Sequence, residues 1–412
     1  MSLAKPRQEG WQDDCAQTAP SASARRIAIV AGGTAGHVYP ALAVADAYRA
    51  ALPGVELLFL GNSDGFEAEL VGRSGYPFRS VSASPLVGQN LRGKARAMGN
   101  LVSSCIQARR ILKAGGFQMM LGFGSYTCGG AILAARSLGI KTALHEANTG
   151  VGVANRFLGS IVDRAYVGFE SAAREFPHGR AHFTGNPVRA DVLALLDEPR
   201  KAPDPSRAWR ILVIGGSLGS AFLNRNVPEL IGMLRASGFR VEVRHLTGRG
   251  RREDVPALYR RAQVEADVSE YVEDMTAAYR WADFAITCAG AATMAELAIA
   301  GLPALFVPLR SAARNHQLDN AIAFTSQGGG WYVEEHRWSP EALAARIGAL
   351  LGDGDAWRAA SSAMRRMARP EAAEAIVADC EALVGGEGPF ASNGTAKPQA
   401  APSGANFAAP AS

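Results

Sequence analysis

ADFAITCAGAATMAELAIAGLPALFVPL, residues Ala282 to Leu309, is the stretch that decides the fold. Within it, Phe284–Thr287 is a short apolar run, long enough for a buried strand. A loop of small residues follows, and Thr293–Ala300 is rich in Ala, Met, Glu and Leu, which favour a helix. Gly301-Leu302-Pro303 ends that helix, and Ala304–Pro308 predicts a second strand. The stretch therefore predicts a parallel strand–helix–strand unit.

The N-terminus of this predicted helix is a candidate phosphate site, because its unpaired N–H groups and partial positive charge attract anions. Glu296 lies one turn into the helix, where a carboxylate can accept two hydrogen bonds from a ribose diol. The alternative is an ordinary α/β unit with a solvated glutamate, because glycine-containing turns between strand and helix are common.

Length and charge set the broad class of protein. A chain of 412 residues is long enough for two domains, and its net charge is +5. Residues 70–145 contain no Asp or Glu, which predicts a basic face for an anionic partner, either a membrane surface, a nucleic acid or a phosphorylated substrate. The alternative is basic residues scattered over the surface. Ten bases lie in this run: Arg73, Arg79, Arg92, Lys94, Arg96, Arg109, Arg110, Lys113, Arg136 and Lys141.

The five cysteines are scattered without a CxxC pair, which argues against a disulfide framework or zinc site and fits a reducing cytosol. No run is long and apolar enough to cross a bilayer, and the N-terminus has no signal-peptide pattern. Any membrane contact is therefore predicted to be peripheral. The loop Ser82–Arg96 is the candidate, because it combines apolar and basic side chains. The predicted membrane contacts are Leu86, Val87, Leu91, Arg92, Lys94 and Arg96. A helical stripe through Met98, Leu101, Val102, Cys105, Ile106 and Leu112 is predicted to face the core.

The first predicted strand, Arg26–Ala31, runs into GGTAGH, Gly32 to His37, and then a helix to about Ala51. The second glycine is one position too early for a dinucleotide-binding GxGxxG, which argues against a Rossmann dehydrogenase. His37 lies where the glycine loop opens a helix, at the sheet edge where ligands usually bind, so we predict it to be a general base. The alternative is a histidine hydrogen-bonded to backbone at a helix start.

The same pattern, a predicted strand followed by a polar glycine loop and a helix, recurs along the chain. It returns at GFGSYTCGG (122–130), at HEANTG (145–150) and, after a Pro- and charge-rich surface linker at Glu198–Ala208, at GGSLGS (215–220). Val268–Val272 is predicted to be a further strand. Alternating strands and helices predict an α/β fold, with two doubly wound domains facing each other across a cleft.

Eight motifs occur in one order: GGTAGH, GFGSYTCGG, HEAN, ANRFL, GNPVR, GGSLG, AGAATMAELAIAGLPALFVP and HQLDNA. Together they resemble the family of peptidoglycan glycosyltransferases that add N-acetylglucosamine (GlcNAc) to lipid I. The resemblance covers about Arg25 to Val384 and implies the GT-B fold, two Rossmann-like domains. It implies a leader at 1–24, an acceptor and membrane-facing domain at 25–188, a UDP-sugar domain at 189–370, a C-terminal helix at 371–385 and a tail at 386–412. The leader and tail compositions predict disorder.

The resemblance implies site residues by position. Glu296 would hold the ribose, the Val272 backbone would read uracil, Ser217 would contact phosphate, and Gln317 with His316 would recognise the GlcNAc hydroxyls. The full donor set is Thr34, Ala35, Gly36, Asn148, Arg189, Ser217, Val272, Ala291, Ala292, Thr293, Met294, Ala295, Glu296, His316 and Gln317, with His37 as the catalytic base. The acceptor set is Gly32, Gly33, Gly124, Ser125 and Tyr126.

The activity implied is inverting transfer of GlcNAc from UDP-GlcNAc to lipid-linked MurNAc-pentapeptide, lipid I. We expect no metal, because no DxD-type carboxylate pair lies near the donor loops, and no cofactor, because UDP-GlcNAc is a substrate. The implied partners are the polyprenyl-linked acceptor, an anionic membrane at the cytoplasmic face of the bacterial inner membrane and other cell-wall synthesis proteins, with no nucleic acid.

Two other functions stay open. A UDP-GlcNAc 2-epimerase shares the architecture, but the sequence offers no good second carboxylate for it. A non-catalytic scaffold of the wall-synthesis complex is suggested by Ala147 and Cys288, where the family usually has glutamine and arginine.

Overall fold

The computed structural model describes residues 24–63, 66–82, 91–124, 127–204, 206–250, 254–310 and 315–385, without the side chains of residues 66 and 91–97. Nearly all of the predicted leader, the whole predicted tail, and Leu86, Val87, Ser125 and Tyr126 lie outside this part of the chain.

The first domain contains a seven-stranded parallel sheet. Its elements are β1 (Arg26–Val30), α1 (Ala35–Ala51), β2 (Glu56–Gly61), α2 (Phe66–Arg73), β3 (Phe78–Ser80), α3 (Leu91–Gly115), β4 (Met119–Gly122), α4 (Cys128–Ser137), β5 (Lys141–Glu146), α5 (Val153–Gly159), β6 (Arg164–Val167) and β7 (Ala181–Phe183). The strand order is β3-β2-β1-β4-β5-β6-β7. The order reverses beside β1, so the carboxyl ends of β1 and β4 flank the crevice where such sheets bind ligands.

The second domain repeats the plan with six parallel strands. Its elements are α6 (Ala190–Leu193), β8 (Trp209–Ile214), α7 (Ala221–Ala236), β9 (Val241–Leu246), α8 (Val255–Arg261), β10 (Ala266–Ser269), α9 (Met275–Trp281), β11 (Phe284–Thr287), α10 (Ala291–Ala300), β12 (Ala304–Phe306), α11 (His316–Thr325), β13 (Gly330–Tyr332), α12 (Pro340–Leu351) and α13 (Gly354–Met367), and the chain then forms a C-terminal helix, α14 (Ala372–Leu383). The strand order is β10-β9-β8-β11-β12-β13, so the predicted α/β class with two doubly wound domains is confirmed.

The opening stretch folds as its sequence predicts. The strand β11 covers Phe284–Thr287 and pairs in parallel with β8 and β12. Helix α10 begins at Ala291, two residues before the predicted start, and Gly301 ends it in the left-handed conformation with φ +61°. Glycine adopts that conformation without the cost that a side chain brings.

The predicted core stripe on α3 is wrong for half of its members. Met98, Val102 and Ile106 are 52%, 54% and 48% exposed, whereas Leu112 is buried. The six apolar positions span an arc of the α3 surface that is too wide for one neighbouring helix to cover. Helix α4 covers only part of that arc, where Leu101 lies against Gly129. The remaining apolar line faces outward.

Two smaller predictions also need correction. The strand β10 ends at Ser269, so Val272 lies in the loop beyond it. The linker does more than run over the surface, because Arg200 donates to the carbonyl oxygens of Tyr279 at 3.1 Å and Ala300 at 3.3 Å. A guanidinium among these carbonyls stabilises the ends of α9 and α10.

The C-terminal helix α14 returns to the first domain and packs against α1. Asp379 accepts hydrogen bonds from Tyr166 Oη at 2.9 Å and Arg164 Nε at 3.2 Å, and Arg25 pairs with Glu381 at 2.8 Å. These contacts hold α14 against the first domain.

Candidate active site

His37 lies in the first turn of α1, directly after the glycine loop that follows β1. Its Nδ1 lies 3.2 Å from Thr34 Oγ1, and the ring also forms a hydrogen bond with the backbone of Gly32. Burial lowers the pKa of His37 below its usual value, and the nearby Glu146 carboxylate opposes this only in part. The imidazole is therefore neutral at neutral pH, the state that a general base needs.

Gly124 forms the wall beside this imidazole. It lies just after β4 with φ +72°, and a methyl group added there would lie 3.0 Å from His37 Cδ2 and 3.1 Å from Nε2. On the neighbouring strand, burial lowers the pKa of His145 to about 4. His37 and His145 are thus two neutral imidazoles at one sheet edge.

Glu146, at the end of β5, organises the third polar loop. Its buried carboxylate accepts hydrogen bonds from the backbone and side-chain nitrogens of Asn148 at 3.1 and 3.2 Å, from Gly152 N at 3.1 Å and from Asn155 Nδ2 at 2.9 Å. Four donors on one carboxylate fix the loop that borders His37.

The loop also reaches across the cleft to the second domain. Asn320 on α11 donates to Asn148 Oδ1 at 3.0 Å and to Ala289 O at 3.1 Å. Its own Oδ1 accepts from Thr149 N and Oγ1 at 2.9 and 3.0 Å. One buried amide therefore connects the polar loop of the first domain with the loop before α10.

Glu296 is buried rather than solvated, which rules out the alternative of a solvated surface glutamate. Its carboxylate accepts a hydrogen bond of 2.6 Å from Tyr279 Oη and lies 3.4 Å from Arg189 Nη2. Burial raises the pKa of Glu296, and Arg189 and Tyr279 counteract this. The Arg189 guanidinium also lies 4.2 Å from the ring centre of Tyr39 on α1, so this cation bridges the two domains.

The other predicted donor residues surround the start of α10 and the loop after β8. Ala292, Thr293 and Ala295 are half-buried, and Ala291 is buried. Met294 is wholly buried in the core, so its side chain is not accessible to a ligand, and its place in the donor set stays a prediction. Ser217 is exposed on the glycine loop, where it is open to a ligand.

The remaining positions divide between the two sides of the cleft. Gln317 Oε1 accepts from Leu309 N at 3.0 Å, and His316 lies beside Gly150 of the first domain. The predicted positions Gly32, Gly33, Thr34, Ala35 and Gly36 form the first glycine loop and the start of α1. Among the described residues, no group of three or more His, Cys, Asp or Glu is placed to hold a metal ion.

Several site residues were not predicted: Tyr39, Glu146, Asn155, Tyr279 and Asn320. Glu146, Asn155 and Asn320 stand inside quoted motifs. A polar residue at a strand end is a signal that could have identified Glu146, and a polar residue three positions after Gln317 is one that could have identified Asn320. Tyr39 and Tyr279 carry no such signal, because the contacts that place them at Arg189 and Glu296 join distant parts of the chain.

Two doubly wound domains, with His37 on one side of the cleft and a buried carboxylate with helix N-termini on the other, are the arrangement of a GT-B glycosyltransferase. Residues 27–167 match the N-terminal domain model of glycosyltransferase family 28, and residues 210–376 match its C-terminal domain model. The chain belongs to glycosyltransferase family 28 and, within it, to the MurG family.

Named relatives support this placement. An enzyme of Methylococcus capsulatus is 40% identical over 87% of this chain and 98% of its own length. One of Aeromonas hydrophila is 37% identical over 88% of this chain and 98% of its own. Both are named UDP-N-acetylglucosamine–N-acetylmuramyl-(pentapeptide) pyrophosphoryl-undecaprenol N-acetylglucosamine transferase.

Solved structures agree. The crystal structure of Acinetobacter baumannii MurG superposes with a TM-score of 0.69 at 28% identity, covering 87% of this chain and 99% of that one. A UDP-N-acetylglucosamine 2-epimerase of Listeria monocytogenes, described as putative, superposes with a TM-score of 0.63 at 14% identity, covering 88% of this chain and 97% of that one. The epimerase shares the fold alone.

Proposed function

We propose that the chain transfers GlcNAc, with inversion, from UDP-GlcNAc to the C4 hydroxyl of the MurNAc unit of lipid I, giving lipid II. The observation that carries this is the placement of His37 on α1 of the first domain and of the buried Glu296 on α10 of the second, two helices that Arg189 connects through Tyr39 and Glu296. Membership of a family whose named members are this transferase supports it.

In the proposed reaction His37 Nε2 takes the proton of the acceptor hydroxyl. The hydroxyl oxygen bonds to C1 of GlcNAc from the face opposite the diphosphate, and the bond from C1 to the diphosphate oxygen breaks. UDP leaves with that electron pair. The N-terminus of α10 and the glycine loop after β8 supply N–H groups to the diphosphate, and Arg189 supplies a cation.

Release of UDP from UDP-GlcNAc in the presence of a lipid I analogue tests the proposal. We expect release that depends on the acceptor. Epimerised UDP-sugar formed without any acceptor would favour the epimerase instead. A pure protein that binds partners but never releases UDP would favour the scaffold.

Replacing Glu296 by Ala is expected to weaken donor binding by about 1–3 kcal/mol, because the ribose hydroxyls lose a charged acceptor. Calorimetry with UDP measures this. Glu242→Ala is the control. It also removes a carboxylate that pairs with an arginine of the second domain, Arg210 at 3.4 Å, but this carboxylate is largely exposed. Unchanged UDP binding by Glu296→Ala would contradict the ribose role.

The polyprenyl tail of the acceptor stays in the bilayer, so we propose that the enzyme attaches peripherally through the start of α3. The side chains of Leu91, Arg92, Lys94 and Arg96 lie outside the described part. The exposed line of Met98, Val102 and Ile106 continues from them along the same helix. No described helix is long and apolar enough to cross a membrane.

Replacing Arg92, Lys94 and Arg96 together by Ser should release the protein from anionic vesicles at physiological salt. Each base near an anionic surface contributes on the order of 1 kcal/mol, and salt screens this attraction. Activity on a soluble short-chain acceptor should persist, because the cleft is unchanged. Co-sedimentation with vesicles is the measurement.

The control removes three exposed bases, Arg235, Arg260 and Arg261, from the second domain. It makes the same change in net charge and should leave vesicle binding intact. Equal co-sedimentation of the α3 variant and wild type would show that the membrane contact lies on another face.

A further inference from the structure

A buried histidine lies beneath the second domain's glycine loop, outside the mechanism described above. His245, on β9, has no exposed surface. Its Nδ1 lies 2.9 Å from Tyr259 Oη and its Nε2 lies 3.0 Å from Asn224 Oδ1. Burial lowers the pKa of His245 to about 3, so the ring is neutral and carries a single N–H.

The hydrogen bonds around this ring have one consistent direction. Asn224 Nδ2 donates to Thr247 O at 3.1 Å, which leaves Asn224 Oδ1 as an acceptor toward His245. Turning the amide over would set two carbonyl oxygens against each other, so the network fixes its orientation. His245 Nε2–H must then donate to Asn224, and Nδ1 accepts from the Tyr259 hydroxyl. The chain of donors runs from Tyr259 through His245 and Asn224 to Thr247.

That chain ends where two loops touch through their backbones. Asn224 lies in the first turn of α7, directly after the glycine loop of residues 215–220. Gly219 and Gly248 leave no room for a side chain, because an added methyl group on either would overlap the backbone of the other loop. Both have positive φ, +71° and +86°. The bond from Asn224 to Thr247 is the side-chain contact that joins the two loops beside this close approach.

The second of these loops, which contains Thr247 and Gly248, is hydrogen-bonded to the segment that leads to Val272. Thr247 N donates to Ser269 O at 2.9 Å and Gly248 N to Glu270 O at 3.0 Å. The loop after β8 is the proposed phosphate contact, and the segment beyond Glu270 is the proposed uracil contact. The buried side chains of His245 and Asn224 are therefore connected, through Thr247, to both proposed halves of the nucleotide site.

We propose that His245 is a positioning residue for the UDP site, holding through Asn224 the two glycine loops at the spacing that a nucleoside diphosphate requires. This inference rests on the proposed function. It assigns His245 no contact with UDP and no role in proton transfer.

The test compares UDP affinity by calorimetry in His245→Phe and Tyr259→Phe. His245→Phe removes the N–H that holds Asn224 and is expected to weaken UDP binding about ten- to a hundredfold, the range known for residues that support metal ligands from a second layer. Tyr259→Phe also removes a hydrogen bond to the same ring but leaves the bond from His245 to Asn224, so UDP affinity should stay near that of wild type. With saturating donor, His245→Phe should turn over near the wild-type rate.

His245→Gln supplies a rescue, because its amide N–H can replace Nε2–H; UDP affinity should recover more than thermal stability does. If His245→Phe does not fold, Asn224→Asp breaks the next link, since a carboxylate cannot donate to Thr247 O, and the same loss of affinity is expected. Wild-type UDP affinity in either folded variant, or an equal loss in Tyr259→Phe, would overturn the inference. Absence of UDP binding by wild type would contradict the proposed function itself.

Discussion

His37→Ala is expected to lower kcat by roughly 10²–10⁴-fold, the usual loss when a general base is removed. The fold and UDP affinity should be retained, because the proposed contacts with the diphosphate lie at α10 and the loop after β8, in the other domain. Steady-state UDP release with a soluble acceptor measures the loss, and calorimetry with UDP confirms that the donor site persists.

The same histidine sets the acid side of the pH profile. Burial lowers the pKa of His37 from its ordinary 6.5. A base works only when unprotonated, so activity should fall as pH drops through this lowered value, and the acid limb of kcat/KM should lie below pH 6.5. His178→Ala, a change at an exposed histidine of the same domain, is the control and should leave rate and profile unchanged. If turnover in His37→Ala is close to that of wild type, His37 is not the general base, and His145 is the next candidate.

Local sequence patterns predicted the strands and the helix around the start of α10. The residues of β11 form a short run between Asp283 and Cys288, so the limits of the strand followed directly, whereas the helix after it begins two residues earlier than predicted. Glu296 was placed one turn into the helix by spacing alone. Its burial did not follow, because it depends on Arg189 and Tyr279, which approach only in the folded chain.

Contacts between distant segments of the chain could not be predicted from the sequence for the same reason. The pair Asn148 and Asn320 is separated by 172 positions. No periodicity indicates that α14 returns to the first domain. On α3 the apolar spacing was recognised, but which side of a wide apolar arc meets α4 depends on how the helix is rotated. Periodicity predicts how wide the apolar face of a helix is, but it does not predict which part of that face another helix covers.

Gly124→Ala is expected to reduce turnover on the order of 10²-fold, although it removes no functional group, because a displaced catalytic geometry can cost that much. An added methyl group would lie 3.0 Å from His37 Cδ2, closer than carbon atoms normally pack, so the imidazole must shift. The substitution also forces a side chain into the left-handed conformation at φ +72°, which costs about 1–2 kcal/mol.

Gly75→Ala separates these two effects. Gly75 has nearly the same φ, +73°, but an added methyl group there meets no atom within 4 Å. The two variants should therefore lose similar thermal stability, while only Gly124→Ala loses turnover. A double-mutant cycle sharpens the comparison: in the His37→Ala background, Gly124→Ala should have little further effect on kcat, because the group it displaces is already absent. Independent, additive losses, or equal losses of turnover in Gly124→Ala and Gly75→Ala, would show that Gly124 does not act by positioning His37.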